Sequence, residues 1–173
     1  YDSVSAGLLA PALTADADAV IWDANFPQAA ITSALGAMPP DRRLFAVGTS
    51  TAKVDRLAAV LPRFDALVVN RDEAACLVTA GDVAEMAPGL AAMAGGATVL
   101  VSDGGNPAAM ATADAVVTAR PPAVKLVNAN GAGDVMAAQL FYDLVKDGTM
   151  TAQDRLERAL AAGGAFAAGR DAV

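Results

Sequence analysis

Short apolar runs alternate with stretches of helical periodicity between residues 19 and 101, and this alternation restricts the fold more than any other feature. The runs are apolar throughout, which is typical of strands covered on both faces, as in a parallel sheet. They predict strands over residues 19–23, 44–47, 66–69 and 98–101. The sequence therefore predicts an α/β fold in which helices cover both faces of a mainly parallel sheet.

The remaining segments predict helices and one hairpin. Apolar spacing and stop signals such as Pro39-Pro40 mark the helices, and shorter apolar runs mark a hairpin inserted before a glycine-rich turn. The predicted helices cover residues 27–38, 52–61, 72–78, 82–93, 133–146 and 152–168, the hairpin strands cover 108–111 and 116–119, and a further extended segment covers 124–127. No internal repeat or low-complexity linker interrupts the pattern, so we expect residues 1–173 to form a single domain.

The sequence opens in an unusual way. Tyr1-Asp2-Ser3 leads directly into a helical pattern, without a methionine and without an opening strand. These residues also lack the basic segment that begins a signal peptide. We therefore expect the 173 residues to be part of a longer chain that is located in the cytoplasm.

The composition argues against several classes of function. The net charge is −7 and no basic stripe is visible, so the sequence offers no groove for nucleic acid. The most apolar stretches, such as residues 88–101, are too short and too rich in glycine to cross a bilayer. There is no histidine, which removes Ser-His-Asp and Cys-His nucleophilic systems and zinc sites built on imidazole. Acid–base chemistry near neutral pH must then use a carboxylate, a lysine or a tyrosine.

The stretch Asn128-Ala129-Asn130-Gly131-Ala132-Gly133-Asp134 carries the clearest functional signal. It predicts a turn between a strand end and an apolar helix. Backbone N–H groups at a helix N-terminus attract phosphate, and a carboxylate beside them can accept a proton from a hydroxyl group. A P-loop is excluded because no Gly-Lys-Ser/Thr follows, and a dinucleotide fingerprint lacks its third glycine. The simpler interpretation, a helix start capped by Asp134, stays open on these residues alone.

Two other strand ends carry polar residues, and each has a structural and a functional interpretation. Asn70-Arg71-Asp72-Glu73 is either a helix cap with acidic first-turn residues or a group that lies near phosphate and Mg²⁺. Ser102-Asp103-Gly104 is either a turn into the hairpin or a close backbone approach to a nucleotide. Because ligands collect at the carboxyl ends of parallel strands, we expect both segments at one edge of the sheet, with Asp23, Asn25 and residues 49–51.

Four residues are assigned to ordinary structural roles. Cys76 is the only cysteine, so no intrachain disulfide is available, and its apolar helical surroundings predict a buried thiol. Lys53 is predicted to be a solvent-exposed helix residue. Trp22 and Met136 are predicted to lie in the core.

Taken in chain order, the three motifs resemble those of the ribokinase-like, or PfkB, family of carbohydrate and nucleoside kinases. Residues 128–134 are similar to its C-terminal signature Asp-Thr-x-Gly-Ala-Gly-Asp, residues 70–73 to its Asn-x-x-Glu motif, and residues 102–104 to its Thr/Ser-x-Gly nucleotide turn. The order and rough spacing of all three agree, and the resemblance covers essentially the whole chain. It implies a ribokinase-like three-layer α/β/α fold, of which this chain is the C-terminal portion.

The resemblance implies catalytic roles for the glycine turn. Asp134 would be the base that accepts the proton of the substrate hydroxyl group. The N–H groups of Gly131, Ala132 and Gly133 would form an anion hole for the charge on the transferred phosphoryl group.

The other two motifs would bind the cofactor. Asn70 and Glu73 would organise Mg²⁺ and the phosphates of ATP, with the Glu73 carboxylate as the group that holds the metal, mainly through water. Ser102 and Gly104 would contact the nucleotide.

A narrower resemblance is to the pseudouridine kinase branch. It is carried by Asp23-Ala24-Asn25-Phe26-Pro27, by residues 45–53 and by residues 69–74. In that branch an asparagine also commonly begins the signature, as Asn128 does here. Asn128 and Asn130 depart from the more usual family pattern, and they would leave the anion hole intact but alter a nearby monovalent-cation site, for which K⁺ is the candidate.

Family members are substantially longer at the N-terminus than this chain. The additional part carries the opening strands, the lid and most of the sugar-binding residues, so much of the substrate's identity lies outside this sequence. Because the family often dimerises through its lid, a homodimer is a further expectation for the longer protein.

The sequence thus predicts an ATP-dependent kinase that phosphorylates a hydroxymethyl group of a sugar or nucleoside, with a pseudouridine-like small molecule favoured as the substrate. Ribokinase, fructokinase and adenosine kinase types are the alternatives within the family. A non-catalytic nucleotide-binding fragment is the alternative from another class. A Rossmann-type domain is disfavoured because the glycine turn lies near the end of the chain and not after the first strand.

Overall fold

The computed structural model describes residues 17–146 and 148–169, and its central element is a six-stranded sheet whose strand order follows the sequence. The strands are β1 (Ala19–Asp23), β2 (Arg43–Val47), β3 (Ala66–Asn70), β4 (Thr98–Ser102), β5 (Ala108–Ala111) and β6 (Val116–Ala119). β1 to β4 are parallel, and β5 and β6 extend the sheet as an antiparallel hairpin. The predicted α/β class, the parallel strands and the hairpin are confirmed.

Helices lie on both faces of this sheet. They are α1 (Gln28–Ala37), a 3₁₀ helix (Val54–Arg63), α2 (Arg71–Leu77), α3 (Val83–Met93), α4 (Ala132–Lys146) and α5 (Ala152–Ala167). Trp22, Leu67 and Val99 belong to a core cluster that also contains residues of α1, α2, α3 and the 3₁₀ helix. Phe45 and Leu100 belong to a second cluster, which contains residues of α4 and α5.

The two clusters explain the uninterrupted apolar strands of the sequence. Successive side chains of a strand point to opposite faces, and here both faces meet an apolar layer. Burial of each large aliphatic or aromatic side chain contributes on the order of 2 kcal/mol to folding. Trp22 and Met136 are buried, at 5% and 6% exposure, as predicted.

Two predicted elements differ from the structure. Residues 52–61 were expected to form an α-helix, whereas Val54–Arg63 is a 3₁₀ helix. Pro62 lies inside this segment and has no N–H to donate to an i−4 carbonyl oxygen, and the segment ends with a bond from the Phe64 N–H to the Leu61 oxygen at 3.0 Å. The extended segment expected at residues 124–127 pairs with no strand of the described chain. The helical pattern expected before residue 17 lies outside the described residues.

The prediction that Cys76 is a buried thiol is wrong, because this side chain is exposed. The short helix α2 buries Glu73 and Ala74, and Cys76 lies off that stripe. Its Sγ donates to the Asp72 carbonyl oxygen at 3.4 Å. Helical periodicity over so few residues does not fix which face is buried, since about two turns supply too few positions to define a stripe.

Candidate active site

The carboxyl ends of the parallel strands lie side by side at one edge of the sheet. Asp23 is opposite Val47 in the register of β1 and β2, and Asn70 is opposite Ser102 in the register of β3 and β4. Two segments that were singled out separately in the sequence are thus direct neighbours across a strand pair. The predicted gathering of polar strand-end residues is present at this edge, where open α/β sheets bind their ligands.

Asn70 and Glu73 form a reciprocal cap at the start of α2. The Glu73 N–H donates to Asn70 Oδ1 at 2.9 Å, and the Asn70 N–H donates to Glu73 Oε2 at 3.0 Å. This capping box satisfies two donors that a helix start would otherwise leave unpaired. The structural interpretation of this motif is therefore correct, and it leaves the second carboxylate oxygen, Oε1, outside the cap.

The Glu73 carboxylate is the most perturbed acid of the site. The residue is only 4% exposed, and this desolvation raises the pKa of the carboxyl group above its ordinary value. Its hydrogen bonds with Asn70 lower the pKa, and the negative charges of Asp72 and Asp134 raise it.

The glycine turn leads directly into a helix, as its sequence predicts, but the strand expected before it is absent from the described residues. Gly131 has φ +88°, a conformation that favours glycine, and a Cβ here would lie 3.1 Å from Phe166 Cε1. The Gly131 carbonyl oxygen accepts the Val135 N–H at 3.0 Å, so α4 begins directly after it. Asp134 is the third residue of α4 and is exposed to solvent.

The N–H groups of the turn are not equivalent. The Ala132 N–H donates to the Ala129 carbonyl oxygen at 3.1 Å, so it is already used within the turn. Among the described residues, no acceptor lies within bonding distance of the Gly131 and Gly133 N–H groups. In this structure, two of the three N–H groups predicted for an anion hole are available to a ligand.

Helix α5 and the sheet hold α4 in place. A Cβ on Gly163 of α5 would lie 3.0 Å from the Ala132 carbonyl oxygen, so the two backbones are in close contact at the start of α4. Buried Asp143 accepts from Arg158 Nε at 3.1 Å and binds α5 further along. On the sheet side, the rings of Phe45 and Phe141 stack with centroids 4.7 Å apart. These contacts give Asp134 a rigid support.

A cleft of about 580 Å³ lies between α4 and the ends of β1 and β2. Its polar lining residues are Asp23, Asn25, Thr49 and Asp134, and Gly48 contributes backbone. The apolar lining comes from β1, β2, α4 and the loop after β1, through Val20, Ile21, Trp22, Phe26, Val47, Ala137, Ala138 and Phe141. Apolar walls with a few converging polar groups are the usual character of a small-molecule site.

A hydrogen-bonded network fixes one wall of the cleft. Asn25 donates through its backbone N–H and its Nδ2 to the two oxygens of Asp23, both at 2.9 Å. The Thr49 hydroxyl accepts the Ala24 N–H at 3.1 Å. Lys53 donates from Nζ to Asn25 Oδ1 at 2.8 Å.

Lys53 corrects a sequence prediction, since it is half-buried and bonded instead of solvent-exposed. It stands just before the 3₁₀ helix, after the loop that leaves β2. The signal available in the sequence was the short separation between Lys53 and the end of β2. A long side chain so close to a strand end can reach the loop that follows the neighbouring strand.

The segment Ser102-Asp103-Gly104 lies beside Asn70 and is absent from the lining of this cleft. Gly104 is exposed with φ +56°, and the Asn106 N–H donates to the Asp103 carbonyl oxygen at 2.8 Å, which forms the turn into β5. Asp103 also lies 3.8 Å from Arg71. The predicted site residues thus fall into two groups, Asp134 at the β1–β2 end and Ser102 with Gly104 at the β3–β4 end. Glu73 is bonded to Asn70, which is opposite Ser102, and its pKa is raised by the charge of Asp134.

The acidic residues fit a magnesium ion that keeps most of its own water. Within the described residues, no group of three or more Asp, Glu, Cys or His side chains forms a ready-made metal cage. Mg²⁺ commonly binds through one or two carboxylates together with water and substrate phosphates. Glu73, one of whose carboxylate oxygens lies outside the capping box, is the residue that would hold such an ion.

A second cavity, of about 560 Å³, lies at the amino ends of the strands and is lined by residues such as Arg43, Asp65 and Gly96. It is remote from the predicted site residues and does not affect their geometry. No helix in the described ranges is long and apolar enough to cross a membrane.

Solved structures show where this architecture recurs. The chain is similar to a carbohydrate kinase from Agrobacterium tumefaciens, with a TM-score of 0.73, 24% sequence identity and coverage of 94% of this chain and 53% of that one. It is similar to a ribokinase from Thermotoga maritima, with a TM-score of 0.74, 14% identity and coverage of 96% and 56%. A putative ribokinase II from E. coli, solved in complex with ATP and Mg²⁺, gives a TM-score of 0.68, 16% identity and coverage of 97% and 56%. The ribokinase-like fold is thereby confirmed.

The chain spans about half the length of these solved structures. No curated protein sequence matches it significantly. The sequence model of the pfkB family carbohydrate kinases matches residues 12–169. Since this match covers most of the sequence, the chain belongs to the pfkB family of carbohydrate kinases.

Proposed function

We propose that the protein to which this chain belongs is an ATP-dependent kinase that transfers a phosphoryl group to a hydroxymethyl group of a sugar or nucleoside. The observation that supports this most directly is the position of Asp134. Its carboxylate lines the cleft, is exposed, and stands on the first turn of α4 beside the N–H groups of Gly131 and Gly133. A proton acceptor and an anion-binding helix start are thus combined at one point.

In the proposed reaction Asp134 accepts the proton of the acceptor's hydroxyl group, and the hydroxyl oxygen attacks the terminal phosphorus of ATP. The bond between that phosphorus and the bridging oxygen of ADP breaks, and ADP leaves. The Gly131 and Gly133 N–H groups stabilise the negative charge that develops on the transferred group, as pre-oriented donors do in other phosphoryl-transfer sites. Bound Mg²⁺ would neutralise phosphate charge, with Glu73 as the carboxylate that holds it through water.

Asn70 keeps the Glu73 carboxylate in position through the capping box. Ser102 and Gly104 lie beside Asn70, where we propose that they contact the nucleotide. The ATP- and Mg²⁺-bound state of the similar E. coli structure supports this choice of cofactors.

The acceptor that we favour is pseudouridine or a related nucleoside, on the resemblance of residues 23–27, 45–53 and 69–74 to pseudouridine kinases. The first two of these segments supply Asp23, Asn25, Gly48 and Thr49 to the cleft. Carboxylate, amide and hydroxyl groups of this kind can bind ribose hydroxyls and the polar edge of a base. Sugar acceptors of the ribokinase and fructokinase types remain the alternatives within the family.

The test is a phosphorylation screen of the full-length protein with ATP and Mg²⁺, with and without K⁺. The acceptors are pseudouridine, uridine, adenosine, ribose, fructose and 2-keto-3-deoxygluconate, and the measurement is acceptor-dependent ADP release with ³¹P NMR of the product. We expect pseudouridine to give the highest kcat/KM, and uridine is its matched control because only the glycosidic linkage differs. A preference for a free sugar would overturn the choice of acceptor, and ADP release that no acceptor stimulates would overturn the kinase itself.

A further inference from the structure

Gly48 follows the carboxyl end of β2, and its backbone conformation does not explain why this position is a glycine. Its φ is not positive, so an alanine could adopt the same backbone angles. Its N–H donates to the Val68 carbonyl oxygen at 2.8 Å, which continues the pairing of β2 with β3. The requirement for glycine must therefore come from the space around its Cα.

That space is occupied by the Glu73 carboxylate. A Cβ on Gly48 would overlap Glu73 Oε2, and it would lie 2.9 Å from Glu73 Cδ and 3.0 Å from Val69 Cγ1. Contacts below 3.0 Å are not tolerated between unbonded heavy atoms of these types, so one of the groups would have to move. The Glu73 carboxylate thus packs directly against the Cα of Gly48.

The carboxylate has little freedom to move away. Oε2 is the atom that accepts the Asn70 N–H, so displacement breaks one half of the capping box. The residue is 4% exposed and Val69 is 2% exposed, so neighbouring atoms close the other directions. An alanine at position 48 would therefore shift the acid, the start of α2, or both.

Gly48 also lines the cleft that contains Asp134. The Glu73 carboxylate, which does not line the cleft, is in contact with this glycine. We infer that Gly48 is a positioning residue, which by lacking a side chain fixes the Glu73 carboxylate against the cleft where the proposed kinase would hold its Mg²⁺. This inference rests on the proposed function for the metal, but its geometric part stands independently of it.

The geometric part is tested by thermal unfolding of four full-length proteins: wild type, Gly48→Ala, Glu73→Ala and the double variant. We expect Gly48→Ala to lower Tm by several degrees in the wild-type background and to have little effect in the Glu73→Ala background, where the methyl group has room. Gly36→Ala is the control, since nothing lies within 4 Å of the added Cβ, and it should leave Tm nearly unchanged or raise it. Equal losses of Tm in both backgrounds would overturn the inference.

The functional part is tested by the Mg²⁺ concentration that gives half the maximal phosphorylation rate, with KM for ATP and kcat measured separately. Changes to groups that support a metal ligand commonly weaken metal binding by about 10- to 100-fold. We expect Gly48→Ala to raise the half-saturating Mg²⁺ by about tenfold, and Gly36→Ala to leave it unchanged. An unchanged Mg²⁺ dependence in an active Gly48→Ala kinase would refute the positioning role and leave the proposed function intact. An inactive wild-type protein would refute the proposed function, and the Tm comparison would then still test the geometric part.

Discussion

Glu73 and Asp134 occupy equivalent places in two different helices. Each is the third residue of a helix that starts at the edge of the sheet where the parallel strands end, in α2 and α4 respectively. Glu73 is 4% exposed and bound into a capping box, whereas Asp134 is exposed and lines an open cleft. Two carboxylates at the same position of their helices thus lie in different environments, one buried and one exposed.

The difference indicates how one site can divide two tasks between two carboxylates. A buried, hydrogen-bonded acid is held in one place, which suits a group that orients a cation and phosphates. An exposed acid beside free N–H groups can reach a substrate and exchange a proton with it. Pairs of carboxylates whose environments differ in this way are a recurrent sign of divided catalytic roles.

The two helices are also held by different means. The start of α2 is fixed locally, by Asn70 and Glu73 themselves. Helix α4 is held by its neighbour α5, at its start through the close approach of Gly163 to Ala132 and near its end through the binding of Asp143 by Arg158. Substitutions that remove only the cap of α2 or only the support of α4 can therefore test the difference between the two helices.

Replacing Asp134 by asparagine should produce the largest effect. The amide has nearly the same shape but cannot accept the hydroxyl proton, and loss of a general base commonly costs 10²- to 10⁴-fold in rate. We expect kcat to fall by about 10³-fold with little change in the dissociation constant for ATP, measured by steady-state kinetics and by calorimetry. The control is Asp114→Asn, at an exposed residue between β5 and β6. Near-normal turnover of Asp134→Asn would show that the exposed acid is not the base.

Removing the support of α4 should produce the next largest effect. Asp143 is 2% exposed, and Arg158→Ala would leave it with the Gln139 amide, which donates to Oδ1 at 2.9 Å, and without a cation. A buried charge that loses its ionic partner commonly costs about 3 kcal/mol or more. We expect the free energy of unfolding to fall by about 3 kcal/mol in urea titrations. Lys146→Ala on α4 is the matched control, because its pair with Asp18 at 3.5 Å is largely exposed and should contribute less than about 1 kcal/mol. Equal losses for the two variants would contradict the role given to Arg158.

The sequence predicted the layout of the sheet because it depends on local signals. Apolar runs, helix stop signals and glycine turns are set by neighbours in the chain, and the observed strands lie within a residue or so of the predicted ones. Asn70 and Ser102 were recognised separately, and their register partnership appears only in the folded sheet. The ring stacking of Phe45 on Phe141 likewise joins residues that no local pattern connects.

The errors at Lys53 and Cys76 have the opposite cause, since each concerns contacts with segments that are distant in the chain. Lys53 bonds to Asn25 across the strand-end loops, so its burial could not be predicted from helical spacing. The exposure of Cys76 depends on where the short helix α2 meets its neighbours. The need for glycine at position 48 comes from the side chain of Glu73, which is adjacent to it only after β2 and β3 pair.

Weakening the local cap of α2 should have a smaller effect than weakening the support of α4. In Asn70→Ala the Glu73 N–H loses its acceptor, and loss of an N-cap side chain costs about 1 kcal/mol. The matched control is Asp82→Ala, which removes the cap of α3, where Asp82 Oδ1 accepts the Glu85 N–H at 3.0 Å. Both variants should lose about 1 kcal/mol of stability in urea titrations, but only Asn70→Ala should raise KM for ATP. A raised KM in both would indicate a general effect of destabilisation.

The smallest expected effect concerns pH, and it compares the two acids directly. Burial raises the pKa of Glu73 above its ordinary value of 4.5, so the folded state binds this proton more tightly than the unfolded state does. The resulting contribution to stability is fully present below the unfolded pKa and is lost as the pH rises through the folded pKa. Glu73→Gln keeps an acceptor for the Asn70 N–H and has no proton to lose, so its stability should fall less than that of the wild type as the pH rises from about 4.5.

The second arm of this experiment uses Asp134→Asn. The charge of Asp134 is one of the causes that raise the pKa of Glu73, although a smaller one than burial. Its removal should therefore lower the pKa of Glu73 slightly and move the loss of stability to lower pH, as measured by urea unfolding at a series of pH values or by ¹³C NMR of the Glu73 carboxyl group. A titration of Glu73 that does not change in Asp134→Asn would show that the two carboxylates act independently.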